Sequence, residues 1–376
     1  MVSPIGVCKG VIGTLSLIIT AVFGSVFLMG PVLPLMFFRP ALFRWITDYL
    51  MSMWLLLPVA LMEIVMGVTV STTGDTIAAN EGSVIIMNHR TRLDWMFFWM
   101  VLHRQSNLRT EKIILKSDPK MMPGFGWAMQ VACYIFLKRR WETDKPWLSS
   151  LLEYFGLLRY KGQFLIFPEG TNYDMNSKES SNKFARKSNR PDYNYCLHPR
   201  TTGFVFLTQE LRQKNLLDSL YDVTVTYPDT IPELGEFNFI FGTLPSKVGF
   251  HIRRHSNSSL PSTKENLELW CVDRWQEKET ALEAFYTGDK NRLLLPGCEG
   301  DGLTKACQAS ERSVRNVLYK ALVFWLFFLV AVVWLLMHSS VAWCFLVIVS
   351  CVFTYQLIVN GGMESVIMSS CRRYYG

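Results

Sequence analysis

Four long apolar runs frame this chain, and between them short apolar segments alternate with amphipathic ones. Val11 to Phe38 is uncharged and is interrupted by Gly30-Pro31 and Pro34, and Leu50 to Val70 follows with a single charge, Glu63. Towards the other end, Val317 to Leu336 and Val341 to Val359 are joined by His338-Ser339-Ser340. Each run is long enough to cross the hydrocarbon core of a bilayer. The short C-terminal connection predicts a helical hairpin. The first pair reads either as two spanning helices or as a pair that enters one leaflet and returns. Gly-Pro and Pro kink a helix, and Arg39 and Arg44 in the connection sit poorly on a translocated side. The first run is too long for a secretory signal and shows no small-residue cleavage site.

From Ser83 onward the pattern is that of an α/β domain. Ser83–Ile86, Lys112–Leu115, Tyr134–Leu137, Phe164–Phe167 and Val223–Thr226 are predicted strands, with helices over 147–159 and 202–216. Asn176 to Arg190, rich in Ser, Asn, Lys and Arg, predicts an exposed, mobile loop. Short strands are expected at Asn238–Phe241 and Val248–Ile252. A helix follows over 263–286, opened by Ser262-Thr263-Lys264-Glu265 as a capping box, with Leu267, Trp270, Arg274 and Trp275 at helical spacing. The expected order is membrane helices over 1–75, the α/β domain over 76–290, a linker over 291–316, a transmembrane hairpin over 317–360 and a tail over 361–376.

Composition sharpens this in two respects. Half of the 376 residues are hydrophobic, too many for an ordinary soluble enzyme. The nine cysteines are scattered without Cys-x-x-Cys or zinc spacing, so neither a disulfide framework nor a structural metal is expected. A formal net charge of +7 suits anionic partners but is also what a solvated surface carries.

Candidate chemistry lies where strands hand over to the next element. After Ser83–Ile86 comes Met87-Asn88-His89-Arg90-Thr91-Arg92-Leu93-Asp94-Trp95. Histidine exchanges protons near neutral pH, and a carboxylate beside it can fix its tautomer and stabilise the imidazolium. No Ser or Cys in a nucleophile-elbow setting accompanies the pair, so it looks built to activate a substrate's own hydroxyl. Taken alone, His-x-x-x-x-Asp is more often a structural histidine beside a helix-capping Asp, because the spacing is easily met by accident. A second strand, Gln163 to Phe167, runs into Pro168-Glu169-Gly170-Thr171, where Pro ends the ladder and Gly allows close backbone approach.

Together, Asn88-His89 with Asp94 and Phe167-Pro168-Glu169-Gly170-Thr171 resemble the glycerophospholipid (1-acylglycerol-3-phosphate) acyltransferase family, whose catalytic domain spans about Leu61 to Pro228 here. The resemblance implies a mixed sheet flanked by helices and acyl transfer from acyl-CoA to a lysophospholipid hydroxyl. His89 would be the general base and Asp94 its orienting partner, with no bound cofactor or metal and acyl-CoA as co-substrate. It also implies an acceptor-phosphate site. Arg139 matches the family's arginine there, while Lys138 stands where many relatives have an acid. Glu169, Gly170 and Thr171 form the other half, with Glu169 holding Arg139 or an acceptor hydroxyl. Asn172 replaces a common arginine. Ile85–Met96, Pro123–Gln130 and Leu197–Phe204 narrow the likeness towards a lysocardiolipin acceptor, with lysophosphatidylinositol, lysophosphatidylglycerol and lysophosphatidic acid as alternatives. The partners implied are membrane lipids and acyl-CoA, not nucleic acid. The setting implied is the endoplasmic reticulum membrane, multi-pass, with the α/β domain in the cytosol and the Asn257-Ser258-Ser259 sequon unused. Oxyanion donors are expected among backbone amides at the start of the helix after His89 or around Gly170. Lys112, Lys116, Arg200 and Lys183 to Arg190 are further candidates for coenzyme A phosphates, and His198 is a second histidine in a turn. A catalytically silent lipid-binding protein of the same fold is the reading from another class.

Overall fold

The computed structural model describes residues 3–288 and 311–376. They contain seven strands: β1 (Thr69–Gly74), β2 (Ser83–Met87), β3 (Glu111–Lys116), β4 (Ile135–Leu137), β5 (Gln163–Ile166), β6 (Ser219–Thr226) and β7 (Lys247–Ser256). The chain forms two compact units that are not consecutive in sequence. Met1–Val11, Met62–Asn107 and Lys161–Glu311 make the first, and Ile12–Leu61, Leu108–Tyr160 and Arg312–Gly376 the second.

The first unit is built on a mixed sheet in the order β1-β7-β6-β2-β5. β2 lies parallel to both β5 and β6, β7 is antiparallel to β6, and β1 is parallel to β7. Every residue of β2, β5 and β6 is buried. Strands covered on both faces need no polar alternation, hence the unbroken run Val84-Ile85-Ile86. The helix Asp94–Gln105 buries Phe97, Phe98, Met100, Val101 and Leu102 completely. One charge stands in the middle of β6: Asp222 pairs with Lys278, whose Nζ also donates to the Val223 carbonyl at 2.7 Å and the Thr224 hydroxyl at 3.0 Å. A buried charge is tolerable only when paired and hydrogen-bonded in this way.

The second unit holds the parallel pair β3 and β4 and the apolar helices. Among the described residues, four stretches are long and apolar enough to cross a membrane, most of their length in this unit: Pro4–Phe38, Pro40–Val65, Glu311–His338 and Ser340–Val359. The first is helical to Phe23, then passes through wider and tighter turns to Val32, where Gly30 and Pro31 interrupt the regular bonding. Arg44 is not in a connecting loop, as the sequence reading has it. It lies buried inside the helix Pro40–Ala60, with Nη2 2.8 Å from Asp48 and Nη1 donating to the Val131 carbonyl. Lys112 Nζ and the Tyr160 hydroxyl complete the shell of Asp48, at 2.8 and 2.7 Å. Arg44 therefore weighs nothing in choosing between spanning and re-entrant helices.

Several sequence expectations are corrected. Residues 175–187 are a helix, Met175–Lys187, not a loop. Its polar composition conceals an N-cap, Asp174 accepting from the Ser177 amide at 2.8 Å, and a buried Asn182 bonded to Tyr193. Glu236–Ile240 is a short helix rather than a strand, entered through Gly235 at φ +58°. The cap of Lys264–Thr287 is Thr263, accepting from Asn266, one residue beyond the expected box. The helix forecast at 147 begins at Trp141. The tail is a helix, Met363–Tyr375, held in its unit by Lys120–Glu364 and Arg372–Glu153 ion pairs. Of the linker expected over 291–316, residues 291–310 lie outside the described residues, and from Glu311 the chain is helical.

Candidate active site

The site forms at the carboxyl ends of β6, β2 and β5, three adjacent and mutually parallel strands of the first unit. Strand ends of like direction gather their following residues at one edge, the usual place for chemistry in an α/β sheet. β2 delivers Asn88 and His89, β5 delivers Phe167 to Thr171, and β6 delivers Tyr227. Asn88 extends the sheet by imitating a backbone: its Oδ1 accepts from the Val225 amide at 2.8 Å and its Nδ2 donates to the Val225 carbonyl.

His89 is fixed from every side. Its Nδ1 lies 2.9 Å from Asp94 Oδ2. Its ring stacks on Phe167 with centroids 4.1 Å apart. Its amide donates to Glu169 Oε1 at 3.2 Å, and its carbonyl accepts from the Tyr173 amide at 2.7 Å. A carboxylate on Nδ1 places the proton there and leaves Nε2 as the free base. Asp94, first residue of its helix and wholly buried, also accepts from the Thr91 amide at 2.9 Å and from the Tyr227 hydroxyl. Burial and the neighbouring Asp94 hold the Tyr227 phenol well above its ordinary range, so it stays a donor.

Glu169 is buried, with Oε1 also accepting from Trp275 Nε1 at 3.2 Å. Burial pushes its carboxyl up to about 8, against the pull of the Trp275 and amide donors. These partners give it a part in supporting the His89 turn, which the sequence reading does not include. Gly170 has φ +75°, as its turn requires, and the stem of the exposed Arg200 passes beside it. Thr171 is half-buried at the same turn. Of the amides expected to serve an oxyanion, those of Asp94, Met96, Phe97 and Gly170 already donate to backbone carbonyls. His198 packs its ring on Tyr193 at 3.7 Å, and burial lowers its pKa, the mark of a structural histidine.

The helix Lys264–Thr287 braces these loops from behind. Trp275 holds Glu169, Glu279 accepts from the Asn194, Tyr195 and Cys196 amides, and the Tyr286 hydroxyl accepts from the Tyr227 amide at 3.2 Å. Arg90 lies over the Tyr173 ring at 4.0 Å. Tyr227, Tyr173 and Glu279 are absent from the sequence reading, which has Trp275 only as one of the residues at helical spacing on its helix. Only Tyr227 had a signal, its place directly after a strand.

Arg139 and Lys138 belong to the second unit, just after β4, and both are exposed. Arg139 takes φ +61°, unusual for a residue with a side chain. The turn is held by Asp144, whose two oxygens accept from the Lys138 and Arg140 amides at 2.8 and 2.9 Å.

Strand ends, a buried carboxylate and an oriented histidine make a site suited to moving a proton to or from a bound group. Residues 69–228 match the model of the Acyltransferase family and residues 238–326 that of the Acyltransferase C-terminus family. The chain belongs to the Acyltransferase family. It is 44% identical to lysocardiolipin acyltransferase 1 of Gallus gallus over 98% of this chain and 95% of that protein. The Mus musculus protein of the same name is 45% identical, over 97% and 96%. Lysophosphatidylinositol acyltransferase 10 of Caenorhabditis elegans is 35% identical over 83% of this chain and 80% of its own length.

Proposed function

We propose that the chain moves a fatty acyl group from acyl-CoA to a free hydroxyl of a lysophospholipid, with lysocardiolipin the preferred acceptor. The observation that carries this is His89 locked on Asp94 with Nε2 left free, in a chain of the Acyltransferase family. His89 Nε2 takes the proton of the acceptor hydroxyl as its oxygen attacks the thioester carbonyl. Asp94, held by Thr91 and Tyr227, stabilises the imidazolium that forms. When the tetrahedral intermediate collapses, the C–S bond breaks and the imidazolium returns the proton to the departing thiolate. A thioester is already activated, so the step needs no metal and no acyl-enzyme. Arg139, with Lys138, grips the acceptor phosphate, for which a guanidinium fork is well shaped, while Glu169, Gly170 and Thr171 shape the turn beside the base. The names of the Gallus gallus and Mus musculus relatives support lysocardiolipin as acceptor, and the Caenorhabditis elegans name supports lysophosphatidylinositol as an alternative. The reading extends to the endoplasmic reticulum membrane, with this chemistry on the cytosolic face where acyl-CoA is found.

The test is acyl transfer by membranes carrying the protein, against a panel of lysolipids and acyl-CoAs. Transfer to lysocardiolipin above the others, lost in His89→Ala at equal protein level, is the expected result. Transfer that survives His89→Ala overturns the mechanism. A protein that binds lysolipid but transfers no acyl chain to any of them is the silent lipid-binding alternative.

A further inference from the structure

The chemistry above makes no use of the segment after Tyr227, which turns large apolar side chains outward. Leu234 is 59%, Phe237 57% and Phe241 38% exposed. The rings of Phe237 and Phe241, one helical turn apart, stack with centroids 6.2 Å apart. Single exposed hydrophobes are ordinary on a protein surface, whereas a contiguous group marks an interaction site.

The patch is tied on one side to the His89 turn. The Thr91 hydroxyl donates to the Pro232 carbonyl at 2.7 Å, and the stem of Arg92 lies against Gly235. On the other side it meets the start of the first apolar helix, Pro4–Phe23. A Cβ at Gly10 would stand 2.2 Å from the Ile240 carbonyl oxygen, so only glycine lets these backbones touch. One residue earlier, Lys9 Nζ donates to the carbonyl of Val65 at 2.9 Å, and Val65 ends the second membrane-length stretch, Pro40–Val65. The first stretch therefore begins, and the second ends, beside this patch. Such a point lies at the level where water gives way to lipid, whether the pair spans or re-enters. Arg92, its side chain 60% exposed, stands there with Glu236 3.6 Å away as its counter-ion.

We propose that Leu234, Phe237 and Phe241 enter the border of the bilayer and seat the His89 turn at the depth of lipid headgroups. The occupant of the patch is the membrane itself, continuous with that around the two helices. Arg92 then faces the headgroup phosphates, and a lysolipid reaches the base without leaving the membrane. That the seated turn is catalytic rests on the acyl-transfer reading. That the patch meets lipid does not.

Two measurements on the full chain in phosphatidylcholine–phosphatidylglycerol vesicles test this. With a photoreactive benzoylphenylalanine at position 237, irradiation should give a lipid adduct, read by mass spectrometry of the peptide. Adducts confined to a second copy of the chain, or none to lipid, overturn the proposal. In kinetics, Phe237→Ser with Phe241→Ser should raise the apparent KM for a long-chain lysolipid embedded in vesicles about tenfold. Turnover of a short-chain, water-soluble lysolipid should not change. Equal losses on both acceptors overturn the seating. A lipid adduct from a protein without transferase activity sinks the acyl-transfer reading and leaves this one standing.

Discussion

Tyr227→Phe isolates the least expected member of the site. The substitution removes one oxygen from a wholly buried side chain and with it the hydrogen bond to Asp94 Oδ1. Asp94 keeps the Thr91 amide and His89, both on Oδ2, so its Oδ1 is left without a donor among the described residues. A hydrogen bond to a charged group contributes ~1.5–3 kcal/mol. If that support is exerted on the imidazolium formed during transfer, kcat should fall about 10- to 100-fold. KM for either substrate should change little, because Tyr227 is buried behind Asp94. Steady-state kinetics on purified protein, with thermal midpoints as a folding control, give the first reading. The decisive comparison is the double-mutant cycle with Asp94→Asn. A tyrosine that acts only through the carboxylate should cost far less once the carboxylate is gone. Equal losses in both backgrounds, or a wild-type rate in Tyr227→Phe, would refute the reasoning.

Glu169 carries a pH dependence of definite sign. Its carboxyl sits at about 8 in the folded chain against an ordinary 4.5, so its contribution to stability is fully present below about pH 4.5 and is lost as pH rises through about 8. Glu169→Gln keeps an oxygen for the His89 amide and Trp275 and should flatten the fall of the thermal midpoint between about pH 5 and about pH 9; an unchanged slope counts against the assignment. Arg139→Ala should raise the acceptor KM, with ~1.5–3 kcal/mol at stake, and leave that for acyl-CoA nearly unchanged. Asp144→Ala should imitate it by releasing the Lys138 and Arg140 amides, yet add little in the Arg139→Ala background; full additivity would separate the two residues. Asn257, whose side-chain oxygen already accepts from Arg212 at 2.6 Å, should carry no glycan in cells, and a glycosidase-sensitive mass shift lost in Asn257→Gln would place this face in the lumen.

What the sequence disclosed follows from the range of the interactions involved. β2 and β5 are legible because burial on both faces requires a continuous apolar run, and a run of that kind ending in Asn-His or Pro-Glu-Gly announces a turn with work to do. The pairing of His89 with Asp94 is local, five residues apart, and could be inferred. The supports of that pair are not local. Tyr227, Trp275 and Glu279 reach the site from β6 and the helix Lys264–Thr287, and in the sequence they look like core residues on an amphipathic helix or at a strand end. Glu169 shows the difference most clearly. Its place in a conspicuous turn suggests a carboxylate that meets ligand, whereas burial favours the protonated acid against the pull of the Trp275 and His89 N–H donors. The errors have the same origin. Met175–Lys187 was misread because its helix depends on one capping aspartate and a buried Asn182 rather than on an apolar stripe. Glu236–Ile240 was misread because two phenylalanines four residues apart around Asn238 suit a strand as well as a helix turn. Only the fold reveals that those phenylalanines stay exposed among the described residues, and that the glycine beside them lies where the first apolar helix begins. The His89–Asp94 pair was thus recoverable from short-range pattern, and the residues that hold it in place were not, because holding is done by partners distant in the chain.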